Sequence, residues 1–307
     1  MKKYSIILSI FVVFVIINMV IFPDLYISQT LNGITAWAFN VLPSVLPFIF
    51  LTKVLSQLGT VEKFSNIFSM PCEKLFKAHA VSSYVFLMSI ISGYPVGAKM
   101  TADLYESGKI TKNDAFKMTS FCSTSGPMFI IGAVGIGMLK NATFGYIIMI
   151  SHIIGALLNG LLYRKINIKE DKTPLQNKVS KNSADLSSIV LDSALSIISV
   201  GTIIAIFFVI ITSLSPIFNL LPSPLASILE GLIEITKGCI DISSSINSVW
   251  SVAACTFVIS FGGISTILQS ITMLNKLNMP IKLFVLQKFT HAILATIVSV
   301  ILIVVLL

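Results

Sequence analysis

Seven stretches of this chain, at 5–22, 34–55, 80–98, 142–163, 188–213, 249–271 and 283–307, are apolar. Each is close to the roughly 20 residues that a helix needs to cross a bilayer. In lipid only helices and closed barrels satisfy their own backbone, and runs of this length point to helices. Composition agrees, with 55% of the 307 residues hydrophobic, 11% charged and a mean hydropathy of +0.93. No soluble domain of this length hides so much apolar surface in one core. The expectation is an all-α polytopic membrane protein of about seven to eight transmembrane helices plus a re-entrant hairpin, built as an inverted repeat. The first run follows the basic start "MKK" and has no A-x-A-like cleavage site before Pro23, so it reads as a retained helix.

The net charge of +8 fits basic residues on cytoplasmic loops, which removes nucleic acid as a partner and leaves membrane lipid. Cys72, Cys122, Cys239 and Cys255 are dispersed, as are His79, His152 and His291, so neither a disulfide framework nor a metal site is expected, and no cofactor is implied. The G-x-x-x-x-G-K-[ST] and G-x-S-x-G motifs are missing, and an enzyme is not expected.

The longest polar stretch, Arg164 to Ser188, carries six basic residues against three acidic ones and contains Pro174. The positive-inside rule assigns it to the cytoplasm, along with Lys2 and Lys3. The chain then divides into an N-terminal helix and connector over 1–32, a first membrane repeat over 33–164, a basic linker over 165–187 and a second membrane repeat over 188–307. An eighth apolar stretch, 115–139, is cut by "STSGP". With both ends of the first half on one side, an even number of crossings makes 115–139 a re-entrant hairpin turning at "STSGP". That choice leaves the basic loop 99–117 outside, against the usual rule. Residues 61–78 and 225–242 mix apolar and charged positions at helical spacing and read as amphipathic interfacial helices.

Three stretches break apolar runs with glycine and serine: "SGYPVG" at 92–97, "STSGP" at 123–127 and "SFGGIS" at 260–265. Irregular backbone at membrane depth is tolerated only where it is buried in protein or lines a wet cavity. The start of a half-helix at such a break favours an anion. The candidate substrate site is Ser92, Gly93, Tyr94, Pro95, Gly97, Lys99, Ser123, Thr124, Ser125, Gly126, Pro127, Ser260, Gly262 and Gly263, with Lys99 as its charge. Low-identity matches pair "LPSVLPFIFLTKVL" with "VGTIIAIFFVIITS" and "SGYPVGAKM" with "SFGGISTIL". By the topology above, the two copies run in opposite directions, the mark of secondary transporters. The glycines of "IGAVGIGM" at 131–138 read as a smooth packing face, and His152 with Asn159 as interhelical hydrogen-bonding groups.

"SGYPVGAKM", the Gly-Lys-Ile-Thr step at 108–111, "FCSTSGPMFIIGAVGIGML" and "SHIIGALLNGLLYR" together resemble the sporulation integral membrane proteins of the YlbJ type, also called stage V sporulation protein V, within the nucleoside-recognition, or Gate, group. The resemblance is strongest over 88–164. It implies a protein of the outer forespore membrane, made in the mother cell, that passes dipicolinate toward the spore. A small planar aromatic dianion suits half-helix starts with Lys99 and with Tyr94 to stack on the ring. A nucleoside or nucleobase carrier and a non-transport membrane scaffold are the alternatives, and a homo-oligomer is compatible with each.

Overall fold

The computed structural model describes residues 2–58, 69–167, 186–246 and 248–306, and all regular structure among them is helical. Most of the linker expected over 165–187 and the first part of the amphipathic stretch 61–78 lie outside the described residues. Among the described residues, five helical stretches are long and apolar enough to cross a membrane, namely Pro23–Leu51, Ala142–Tyr163, Leu186–Phe218, Val249–Leu274 and Ile281–Leu306. Shorter apolar helices accompany them, and the protein is an integral membrane protein.

Helix α1 (Lys2–Ile21) is followed by α2 (Pro23–Ala36), a π-wound turn (Trp37–Val41) and α3 (Leu42–Gln57). The π turn precedes Pro43 and Pro47, which cannot donate to the helical ladder, so the bundle bends here without ending. Then come α4 (Ser69–Phe76), α5 (Ser82–Ser92), α6 (Val96–Glu106), α7 (Lys112–Phe121), the π-wound α8 (Met128–Met138) and α9 (Ala142–Tyr163). The second half holds α10 (Leu186–Phe218), α11 (Ser223–Ile233), α12 (Ile235–Ser245), α13 (Ser248–Phe261), α14 (Gly263–Leu274) and α15 (Ile281–Leu306).

The re-entrant hairpin of the first half is α5–α6, not 115–139. Thr111 and Asp114 form a capping box at the start of α7, and the same Asp114 accepts from the His79 backbone N–H at 3.2 Å while Lys117 donates to the Lys77 carbonyl at 2.6 Å. The chain just before α5 and just after α6 therefore meets at one end of α7, so α5–α6 goes in and returns. By contrast α7–α8 runs the length of α9 in one direction. Ser120 meets Asn159, the Ser125 amide meets His152, and Gly135 lies against Gly145. The stretch 112–138 is one broken crossing helix.

The exchange of roles keeps the number of crossings even and removes the misplaced basic loop. Asn113 bonds Asn167 at 3.2 Å, so the residues around Lys109, Lys112 and Lys117 share an end with Arg164 and Lys165. That end gathers the basic residues Lys109, Lys112, Lys117, Arg164 and Lys165. Ile110, Ile166, Leu277 and Met279 join one apolar cluster there with Phe116, Phe121 and Phe284, and Phe76 stacks on Phe121 at 4.4 Å between centroids.

The second half repeats this order in the opposite direction. α2–α3 and α10 are antiparallel along a seam of small residues, with Gly33 against Ala205 and Gly201 under the Trp37 ring. α11–α12 is a second hairpin, closed by Gly231 against Gly238 and by Ser227 to Ser245 at 2.8 Å. It enters from the other end, where Ile246 and Val249 cluster with Met138, Phe144 and Val300. α9 and α15 are antiparallel, with Gly155 facing Ala295 and Asn159 meeting Gln287 and Thr290. The element order, not the sequence matches, gives the pairing of breaks. "STSGP" between α7 and α8 corresponds to "SFGGIS" between α13 and α14, and the counterpart of "SGYPVG" is the corner at Glu234. The stretch 225–242 is this hairpin, not an interfacial helix.

Candidate functional site

Two hairpin tips and two helix breaks meet at one cavity between the halves. Its polar side is formed by Ser92, Gly93 and Tyr94 at the first tip, Ser125 and Gly126 at the α7–α8 break, Glu234 and Thr236 at the second tip, and Ser265, Thr266 and Gln269 in the first turns of α14. The other side is apolar, formed by Val41, Val45, Phe48 and Ile49 of the α2–α3 span and by Val200, Ile203 and Ile204 of α10. The starts of α8, α12 and α14 border this space, and Tyr94, two residues before α6, reaches it as well. The first N–H groups of a helix have no intrahelical partner, and each start carries about half a positive charge. The α12 start is already capped, since Glu234 accepts from the Lys237 amide at 2.7 Å.

Glycine makes these approaches possible. At Gly93, φ is +74°, and a Cβ there would lie 2.7 Å from the Gly126 amide nitrogen. A Cβ on Gly97 would lie 1.6 Å from the Cys122 carbonyl oxygen, so α6 packs on the end of α7 with no room for a side chain.

Behind the cavity a buried polar network joins the repeats. The Ser125 N–H donates to His152 Nε2 at 2.9 Å, which leaves Nδ1 as the protonated nitrogen, donating to Ser260 Oγ at 2.8 Å. His152 therefore links the break of the first repeat to that of the second. His291 Nε2 donates to the His152 carbonyl at 3.0 Å, with the two rings 4.7 Å apart. Asn159 donates to the carbonyls of Ser120 and Gln287, and Gln287 bonds Thr119 and the Phe116 carbonyl. The interhelical reading of His152 and Asn159 thus describes their geometry.

The charged residue lining the cavity is Glu234, and a buried lysine, Lys288, lies behind Tyr94 without lining the cavity itself. Buried to 2% exposure on α15, Lys288 donates to the Tyr94 hydroxyl at 2.7 Å and the Ser123 carbonyl at 2.8 Å, with its ammonium 4.4 Å from the Tyr94 ring centroid. The Tyr94 hydroxyl in turn donates a hydrogen bond to the Ile259 carbonyl at 3.2 Å. Lys99, named from the sequence, is exposed on α6 and does not line the cavity.

The remaining candidates take different places. Ser92, Gly93, Tyr94, Ser125 and Gly126 border the cavity. Pro95, which follows a cis peptide bond, and Pro127 precede α6 and α8. Thr124 bonds Ser89 at 3.0 Å, Ser123 holds Lys288, Ser260 holds His152, and Gly97 packs on Cys122. Gly262 and Gly263 both have positive φ and turn the chain from α13 into α14. Sequence reading missed Lys288, Glu234, Thr266 and Gln269. A lone lysine inside an apolar span was the available signal for the first.

Residues 38–142, from the π turn of the first span to the start of α9, match the family model described as nucleoside recognition, or Gate. The chain is also similar to the "Sporulation integral membrane protein YlbJ" of Bacillus subtilis (strain 168), at 25% identity over 96% of this chain and 82% of that protein. No solved structure matches. The first hairpin, the first broken helix and half of the cavity's polar side thus lie in the region that matches the Gate model, within a chain similar over nearly its whole length to a sporulation integral membrane protein.

Proposed function

We propose that this protein is a secondary carrier for a small organic anion, with dipicolinate crossing the outer forespore membrane of a sporulating mother cell as its best candidate. The observation that carries this reading is the meeting of three helix starts, those of α8, α12 and α14, with the hairpin tip that precedes α6, on one side of a cavity between two oppositely inserted hairpins and two broken spans. Lys288 covers the Ser123 carbonyl at the end of α7, offsetting one of the negative helix ends that also reach the breaks. The aromatic groups Tyr94, Phe48 and Phe129 on the cavity wall suit a flat ring. The name of the Bacillus relative supports sporulation as the setting.

A nucleoside carrier is the second reading. It is favoured by Glu234, Thr266 and Gln269, whose acceptors and donors suit a neutral polyhydroxyl guest, and by the description of the Gate model. Uptake of labelled dipicolinate into proteoliposomes, challenged with unlabelled dipicolinate or uridine, separates the two. Saturable uptake blocked by dipicolinate and untouched by uridine is expected. Uridine uptake with no dipicolinate uptake would replace the first reading by the second, and no uptake of either would remove both.

A further inference from the structure

We propose, on the basis of the carrier reading, that Lys288 is a tethered cation that occupies the position of a mobile coupling ion, so that an anionic guest is neutralised at this site without sodium. In carriers with broken helices, the carbonyls freed at the breaks are where sodium is held. Ser123, just beyond the last turn of α7, offers such a carbonyl, and the Lys288 ammonium binds it at 2.8 Å. The Tyr94 hydroxyl at 2.7 Å and the Tyr94 ring face complete its surroundings, and all three contacts are neutral. The carboxylates of Glu230 and Asp241, on the second hairpin, pair with Lys237 instead.

An ammonium buried without a countercharge costs several kcal/mol after relaxation, only part of which a carbonyl and a ring face return. An anionic guest supplies the missing charge. Tyr94 links the lysine to the guest, because it both holds Lys288 and borders the cavity. The arrangement exists once in the inverted repeat. Three residues before His291 stands Lys288, and three residues before His152 stands Met149. Gly262, at φ +92°, makes room for the lysine stem, since a Cβ there would approach Lys288 Cε to 3.3 Å.

The full chain in proteoliposomes, with labelled dipicolinate as the anion and either sodium chloride or choline chloride outside, tests this. Wild-type uptake is expected to agree within about twofold in the two salts, and Lys288→Met, inserted and monodisperse, to lose at least about tenfold. Sodium-dependent wild-type uptake, or near wild-type uptake by Lys288→Met, would overturn the tethered cation while leaving the carrier reading in place. Thermal stability in detergent gives an arm independent of transport. Sodium should leave the wild-type midpoint unchanged and raise that of Lys288→Ala, whose vacated carbonyl and hydroxyl can take the ion. A sodium-induced rise in the wild type would overturn the inference even if no transport were seen, and absence of dipicolinate uptake with this sodium pattern intact would count against the carrier reading alone.

Discussion

The two re-entrant hairpins occupy equivalent places in the repeat and are built in different ways. The closest backbone approaches of the first are to another element, Gly97 to Cys122 and Gly93 to Gly126, so α5–α6 is fastened to the broken helix α7–α8. The closest backbone approach of the second is between its own arms, Gly238 to Gly231, where a Cβ would come within 2.0 Å. Its polar groups also face one another: Lys237 lies 3.6 Å from Glu230 and bonds Asp241, while Glu234 caps the next helix. One hairpin belongs to its neighbour and the other is a unit in itself. Equivalent position in a duplicated fold therefore does not mean equivalent freedom, and the second hairpin is the one suited to move as a body.

Gly97→Ala should break the first hairpin most severely. Its Cβ meets backbone, not a flexible side chain, so the cost lies at or beyond the upper end of the ~1–3 kcal/mol typical of overpacking. Loss of monodisperse protein in detergent is the expected readout, and a well-behaved Gly97→Ala protein would contradict the fastened hairpin. His152→Ala comes next, because it leaves the Ser125 amide and the Ser260 hydroxyl unpaired, at about 1–3 kcal/mol for each buried group left unsatisfied. A thermal midpoint lowered by several degrees, with protein still inserted, would show that the imidazole joins the repeats.

Gly238→Ala should separate the arms of the second hairpin at a cost of about 1–3 kcal/mol, smaller than at Gly97 because the hairpin can shift as a whole. Uptake is expected to fall more than stability does, and the reverse order would argue against a mobile second hairpin. Glu234→Gln keeps an acceptor for the Lys237 amide, so stability should change by less than about 0.5 kcal/mol. Removing a negative charge from the cavity should lower the KM for dipicolinate several-fold, and a raised KM would instead favour a guest that donates to this carboxylate. The smallest effect is expected of Lys99→Ala, exposed and away from the cavity, whose uptake should match the wild type.

Much of this arrangement was legible from the residues. Hydropathy located the long spans of α9, α10, α13–α14 and α15 and the apolar run of α2–α3, and glycine with serine inside apolar runs marked the breaks that border the cavity. Hydropathy does not report direction, however, and 80–98 and 115–139 look alike as lengths of apolar chain. The basic residues Lys109, Lys112 and Lys117 already argued for an inner loop, and in the structure Thr111 and Asp114 cap a helix that starts there. Lys288 was hidden because one lysine barely lowers the hydropathy of so apolar a helix. Glu234 was hidden because a charged corner between two short amphipathic helices has the same pattern as a helix lying on a membrane. What places both residues is the meeting of elements distant in sequence, such as Tyr94 with Lys288, which no local window contains.

The apolar side of the cavity has a mechanical meaning. Val41, Val45, Phe48 and Ile49, with Val200, Ile203 and Ile204, offer no hydrogen-bonding side chain to whatever faces them. A polar wall would fix its partner in register, each bond having to break before the surfaces could move. A wall of this kind has no such registry, so the hairpins and broken helices could slide along it with a guest in their grip at the cost of dispersion contacts alone, which re-form wherever the slide stops.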